Sequence, residues 1–183
     1  MSDMLLDVVQ VLYFFAPAYA ANMAPVLIGE RLKRLAVPLD LGASVSGVRI
    51  LGDHKTLRGL VVGMLAGAGV FLLQRAAHRA APMQSLALTD YAALPSLAGA
   101  WLGFGAIAGD AVKSFFKRRV GIAPGRPWIG PDELDFYVGA IAAAACLVPL
   151  PLVPVLLSIP LVFCGHVLSN VIAYGLGLKD TWI

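Results

Sequence analysis

The chain has 183 residues, of which 59% are apolar and only 14% charged, with a net charge of +3. A soluble domain of this length carries about 25% charged residues, so a water-facing globule is excluded. The composition predicts an all-α, polytopic membrane protein whose 183 residues form a single membrane-embedded domain.

In chain order, five apolar segments are long enough, or nearly so, to cross a hydrocarbon core of ~30 Å. They run over Met4–Ile28, Leu57–Ala77, Tyr91–Phe116, Leu134–Val148 and Leu152–Tyr174. The first contains Ala18-Tyr19-Ala20, which resembles a signal-peptidase site. Its leading residues hold Asp3 and Asp7 and no Lys or Arg, whereas a secretory leader has a basic start, so the segment is read as a permanent span. The fourth is short and ends at Pro149-Leu150-Pro151, a tight turn. Spans four and five are therefore expected to form an antiparallel hairpin.

Basic residues set the orientation. Loop one carries Arg31, Lys33, Arg34, Arg49, Lys55 and Arg58. Loop three carries Lys113, Lys117, Arg118, Arg119 and Arg126, and the C-terminal tail Lys179. Only Arg75 and Arg79 fall on the other side, so alternate faces receive 12 and 2 positive charges. The N-terminus is expected outside, with loops one and three and the C-terminus in the cytoplasm.

Glycines recur at helical spacing: Gly59, Gly63 and Gly67 in the second span, then Gly99 with Gly103 and Gly105 with Gly109 in the third. Small residues at this spacing let helix backbones approach closely in lipid. The approach serves packing within the chain or a homodimer through Gly-xxx-Gly faces. Cys146 and Cys164 sit inside apolar runs without metal-binding spacing and read as small apolar fillers.

Polar groups gather toward the cytoplasmic ends of the spans. These are Asn22 in span one; Asp53, Lys55 and Thr56 ahead of span two; Asp110, Lys113, Ser114 and Lys117 at the end of span three; Asp132, Glu133 and Asp135 at span four; and His166, Ser169 and Asn170 in span five. Topology asks for the basic residues but not for the acids, yet eight of the eleven acids fall on this side. Asp132, Glu133 and Asp135 also suit the N-terminal end of a helix, whose dipole favours anions. Asp110 does not, because it lies in the C-terminal half of its helix. It is expected to ligate a metal or to partner Lys113.

Carboxylates and amines together at a membrane surface fit Mg²⁺ and a phosphorylated ligand, since Mg²⁺ takes one or two carboxylates plus phosphate oxygens and Lys or Arg neutralise the rest. The run from Gly47 to Lys55-Thr56 mimics a phosphate-binding loop, but its spacing is two residues too long and no strand–loop–helix unit surrounds it. No Ser-His-Asp order, HExxH or CxxC pair is present. A small membrane transporter, or another membrane protein handling lipid phosphates, is the alternative. Transporters place polar groups at the midplane and often have inverted repeats, unlike the one-sided distribution here.

The run Gly109-Asp-Ala-Val-Lys113-Ser114-Phe-Phe-Lys117-Arg118-Arg119, with Trp128 and Asp132-Glu-Leu-Asp135-Phe136, resembles the archaeal CDP-archaeol synthase family. Asn22-Met-Ala-Pro25 and Asp53-His-Lys55-Thr56-Leu-Arg58-Gly59 are similar to that family's other blocks, in the same order. The resemblance covers nearly the whole chain. Those enzymes are relatives of the CDP-diacylglycerol synthases, whose longer C-terminal signature is here replaced by Pro124-Gly-Arg-Pro127 and Asp132 to Asp135. The resemblance implies cytidylyl transfer from CTP to 2,3-bis-O-(geranylgeranyl)-sn-glycerol 1-phosphate with Mg²⁺, giving CDP-archaeol and pyrophosphate. It implies catalytic roles for Asp110, Lys113, Asp132 and Asp135, with Asp110, Asp132 and Asp135 as metal ligands. Asn22, Asp53, Lys55, Thr56, Gly109, Ser114, Lys117 and Arg118 would bind substrate. The implied partners are CTP, the isoprenoid lipid and the membrane, with no nucleic acid.

Overall fold

A computed structural model describes residues 2–28, 32–123 and 126–177. Residues 31 and 179, used above for orientation, residues 30 and 180, counted among the eight acids, and the Pro124-Gly125 pair lie outside the described residues. The elements are α1 (Ser2–Phe14), α2 (Ala16–Ile28), a short 3₁₀ turn (Lys33–Leu35), β1 (Ser44–Val45), β2 (Val48–Arg49), α3 (Leu57–Ala77), α4 (Ala81–Gln84), α5 (Ala98–Arg119), α6 (Pro131–Ala144) and α7 (Leu152–Gly175).

The first apolar segment is a broken helix, with α1 and α2 meeting at 42°. Pro17 explains the break. It has no N–H to give the carbonyl four residues earlier, and its ring crowds that carbonyl. The orphan is the carbonyl of Tyr13, and the Gln74 side-chain amide of α3 donates to it. In lipid such a group must find a protein partner.

Length and apolar composition mark α3 and α7 as spans, and the bent α1–α2 pair as a third. The other two expected spans differ from their predicted bounds. Helix α5 begins at Ala98, because Tyr91–Leu97 forms turns in which Tyr91 plugs the helix ends, edge-on to Tyr13, Phe71 and His78. The C-terminal half of α5 carries the charges of the site. Helix α6 has 14 residues, about 21 Å of rise, and its apolar continuation to Val148 is a turn.

Glycines fix the packing. A Cβ on Gly67 or Gly99 would collide with the other residue's carbonyl, and one on Gly63 or Gly103 would press on the facing helix, so α3 and α5 lie backbone to backbone. Gly105 and Gly109 meet Gly139 and Asp135 in the same way, locking α5 to α6. These faces are used inside the chain. Gly69 faces open space. The core between α1, α2, α3, α5 and α6 is filled by Phe14, Phe15, Phe71, Leu102, Phe136 and Tyr137, with Phe15 edge-on to Tyr137 at 4.9 Å. Helix α7 adds Val155 and Val162 to this core and packs against α1 and α6, where the hydroxyls of Tyr137 and Ser158 meet at 2.6 Å.

Loop one adds a feature to the expected all-α fold, a hairpin pairing Ser44 with Arg49 and Val45 with Val48. Ser46 and Gly47 make its two-residue turn with φ of +52° and +76°, the backbone twist such hairpins require. Asp40 organises the loop. Its carboxylate, 1% exposed, accepts from Arg49 Nη2 at 2.7 Å and from the amides of Gly42, Leu51 and Gly52 at 2.9–3.1 Å. These donors, Arg49 first, hold the Asp40 carboxyl well below the usual carboxylate range against the upward push of burial. Beyond it Leu39 N–H donates to the Lys55 carbonyl at 2.7 Å and Leu57 N–H to Val37 at 2.8 Å. Loop one therefore delivers Lys55 to a fixed place.

Candidate active site

Five helix ends converge on one cavity of about 400 Å³. Asn22 comes from the end of α2, Lys55 and Thr56 from the start of α3, and Asp110, Lys113 and Lys117 from α5. Asp132 and Asp135 come from the start of α6, with His166 and Asn170 from α7. Local sequence explains each placement. Thr56 is extended and caps α3 by accepting from Gly59 N–H at 3.2 Å, an arrangement worth ~1 kcal/mol. At α6, Gly130 takes φ +95° and Pro131 follows at the first helical position, where its missing N–H costs nothing. Glu133 reaches back to accept from Gly130 N–H at 2.6 Å, so this acid is a cap.

Asp132 and Asp135 are not caps. Asp132 accepts from Lys113 Nζ at 2.7 Å, from Lys117 Nζ at 2.7 Å and from Trp128 N–H at 2.6 Å. Asp135 accepts from Lys113 Nζ at 2.9 Å. Lys113 also reaches Asp110 at 3.2 Å, and the other oxygen of Asp110 accepts from Lys55 Nζ. Residues three and four apart share a helix face, so Asp110, Lys113 and Lys117 form one stripe on α5. Gly109 sets that stripe against α6, because a Cβ there would strike the Asp135 carbonyl.

Buried charges persist only when paired, and here Lys113 is shared by three carboxylates. In this network Asp110 has both Lys55 and Lys113 as ion partners. Among the described residues no three carboxylate, His or Cys side chains enclose a common point closely enough to hold a metal unaided. Asp110, Asp132 and Asp135 do gather around one cationic point, the Lys113 ammonium. That donor set fits a divalent ion taking one or two of these acids and completing its shell with phosphate oxygens.

Eight of the twelve expected site residues line this cavity. Asp53, Ser114 and Arg118 line a smaller adjoining one instead. Asp53 is 76% exposed and pairs with Arg49 at 2.7 Å. Gly109 lines neither, facing an apolar groove of about 640 Å³ between α5 and α6 that opens on Lys113 and Asp135. A second apolar groove, of about 540 Å³, runs between the α1–α2 pair and α7 and opens on Asn22, His166 and Asn170. Sequence reasoning gave no role to Asp40, Trp128 or Arg126, which also lines the main cavity. The one available signal was a carboxylate beside Gly42 in a loop otherwise rich in basic residues.

The lysine–carboxylate cage at the helix ends is thus flanked by two apolar grooves. The family profile described as "CarS-like: CDP-archaeol synthase" matches residues 1–183. A CDP-archaeol synthase of Methanopyrus kandleri is 42% identical over 92% of this chain and 90% of its own length. That of Halobacterium salinarum is 39% identical over 97% and 98%, and that of Methanocaldococcus jannaschii 36% over 93% and 94%. A solved structure described as "Structural insight into an intramembrane enzyme for archaeal membrane lipids biosynthesis" is 34% identical. It superposes with a TM-score of 0.65 over 90% of this chain and 92% of that one. The chain belongs to the CDP-archaeol synthase family.

Proposed function

We propose that this chain, acting as one membrane-embedded domain, transfers a cytidylyl group from CTP to the unsaturated archaeal ether lipid 2,3-bis-O-(geranylgeranyl)-sn-glycerol 1-phosphate, releasing pyrophosphate. The observation that carries this reading, beside family membership, is the continuity of a charged cavity with two apolar grooves through Lys113, Asp135, Asn22 and His166. A lipid phosphate can reach the charges while its tails stay in hydrocarbon.

The attacking group is a phosphate oxygen, already anionic near neutrality, so no side chain has to remove a proton. A bond forms between that oxygen and the α-phosphorus of CTP. The bond to the β-phosphate's bridging oxygen breaks, and the electron pair leaves on pyrophosphate. What remains for the protein is positioning and charge neutralisation. Lys113 and Lys117 neutralise phosphate oxygens, and Lys55 joins them from loop one. Asp110, Asp132 and Asp135 hold those ammoniums in place and would hold Mg²⁺, which when bound screens the triphosphate and polarises the α-phosphorus. Asn22 and Thr56, which line the same cavity, offer neutral hydrogen bonds.

Five crossings, with the N-terminus outside and the site facing the cytoplasm, complete the proposal. The 12-to-2 division of basic residues and the meeting of alternate helix ends in one cavity support it. A C-terminal reporter active only outside the cell would overturn the orientation. The activity is tested by pyrophosphate release from CTP, ATP, GTP and UTP with the lipid phosphate, with and without EDTA. CTP-selective, EDTA-sensitive release is expected. Equal use of ATP would defeat the cytidylyl reading, and turnover in EDTA would defeat the metal.

A further inference from the structure

Loop one carries a hairpin whose composition differs from the rest of the loop. Residues 41–48, Leu-Gly-Ala-Ser-Val-Ser-Gly-Val, bear no charge and are all exposed. Leu41 is the extreme case at 81% exposure, and Val45 and Val48 also lie outside the core. Leu41 takes φ +48°, a conformation that glycine adopts freely and leucine only at a cost. Its surroundings enforce it: Leu41 N–H donates to the Pro38 carbonyl at 3.0 Å, and Asp40 accepts from Gly42 N–H at 3.1 Å. A large apolar side chain is thus held outward at a strained position, and such strain persists where a function uses it.

Depth identifies what this side chain meets. Phe116 lines the apolar groove between α5 and α6 and is itself exposed, so hydrocarbon reaches at least its level on α5. Arg119 lies three residues on, about 4–5 Å along the helix axis. Its Nη1 donates to the Arg49 carbonyl of β2 at 3.2 Å. The headgroup layer is about 5–7 Å thick on each side of the hydrocarbon, so the hairpin sits within it. Charge agrees. Both acids among the loop's described residues, Asp40 and Asp53, are paired with Arg49, whereas Arg34 and Arg119 are exposed. An uncharged apolar tip among exposed cations suits an anionic lipid surface, which attracts Arg and lets aliphatic side chains dip below the headgroups.

We propose that the hairpin tip, with Leu41 and Val45 as its inserted side chains, docks in the anionic headgroup layer of the leaflet on which the site opens. The inference rests on the membrane embedding proposed above and on no particular substrate. Loop one is then held at two points, by the bilayer at its tip and by the Lys55–Asp110 pair at its base. The two are stiffly joined. Leu39, two residues before Leu41, donates its N–H to the Lys55 carbonyl, and the buried Asp40 carboxylate ties both arms of the hairpin together. A displaced tip therefore shifts Lys55, and Leu41 and Val45 are positioning residues for it.

The test uses the full-length protein with Cys146→Ala and Cys164→Ala, one copy per bilayer disc of phosphatidylglycerol and phosphatidylcholine. A nitroxide is attached at Leu41→Cys, at Val45→Cys and, as a span reference, at Leu65→Cys, whose side chain is exposed on α3. Electron spin resonance reads collisions with oxygen, which concentrates in hydrocarbon, and with a nickel chelate, which stays in water. Oxygen should dominate at positions 41 and 45 as it does at 65. In unlabelled protein, Leu41→Ser with Val45→Ser should lower turnover in discs about tenfold, the worth of a partly buried pair of aliphatic side chains, with thermal unfolding unchanged. Nickel dominance at 41 and 45 with oxygen dominance at 65, or wild-type turnover in that double variant, overturns the proposal. Shielding from both reagents that appears only with two copies per disc would assign the tip to a second copy and overturn it as well. Nickel dominance at 65 too would defeat the membrane embedding itself, and the proposal with it.

Discussion

Replacing Asp110 by Asn keeps size and one acceptor oxygen while removing the charge between two ammoniums. The surroundings make the outcome calculable. Lys113 keeps Asp132 at 2.7 Å and Asp135 at 2.9 Å, but Lys55 loses the one carboxylate it meets among the described residues. Both side chains of the Lys55–Asp110 pair are about one-fifth exposed, between a surface pair worth ~0–1 kcal/mol and a buried one whose breaking costs ~3–5. A loss of about 1–3 kcal/mol in stability is expected. Turnover should fall at least ~100-fold, or about 2.7 kcal/mol of transition-state stabilisation, because the substitution removes a proposed metal ligand and releases Lys55. The informative companion is Asp110→Asn with Lys55→Met, which removes the stranded ammonium. Pairing it with Lys113→Met would be less informative, since that change leaves Asp132 and Asp135 short of a partner. Thermal unfolding in detergent and initial rates of pyrophosphate release are measured together. The double variant should recover stability and not turnover. Near-normal turnover in the single variant, or recovered turnover in the double, would refute a role for Asp110 in the chemistry.

Two further outcomes follow from the packing and from loop one. The Asp40 carboxyl is held below its ordinary value, so its contribution is fully present above that value and is lost as pH falls through the depressed one. The stability gap between wild type and Asp40→Asn should stay constant from pH 8 to about 4 and shrink only below; a gap closing near pH 6 would contradict the hydrogen-bond network. Gly109→Ala places a methyl against the Asp135 carbonyl, so α6 must move and carry Asp132 and Asp135 with it. Activity should fall more than tenfold with the protein still inserted, and unchanged rates would show that the α5–α6 contact does not position the acids.

Much of the site was legible because charge in a membrane protein is expensive and stands out. The stripe Asp110, Lys113 and Lys117 follows from helical spacing alone, and its meeting with Asp132 and Asp135 follows once spans three and four are antiparallel. Helix bounds were less legible. Tyr91–Leu97 is apolar enough to read as membrane span, yet Tyr91 acts as a plug among aromatic rings, a role set by partners distant in sequence. Asp53 and Asp40 show the same limit: both are loop acids near glycines, and only the folded hairpin separates the exposed partner of Arg49 from the buried organiser of the loop. That Ser114 and Arg118 line only the smaller cavity while Lys113 and Lys117 line both depends on where loop one lies, which no periodicity in α5 reveals.

The 42° break in the first span has a mechanical consequence. Its angle is not set by Pro17 alone, because the carbonyl that Pro17 orphans is held by Gln74 on α3. From the break to Asn22 is about six residues, a lever arm of ~9 Å. A change of ~10° at the pivot would carry Asn22 some 1.5 Å across the cavity, and displacements of ~1 Å can cost 10²-fold in rate. A glutamine near the C-terminal end of α3, far from every charge in the cage, thus trims the reach of α2 as a set screw trims an arm.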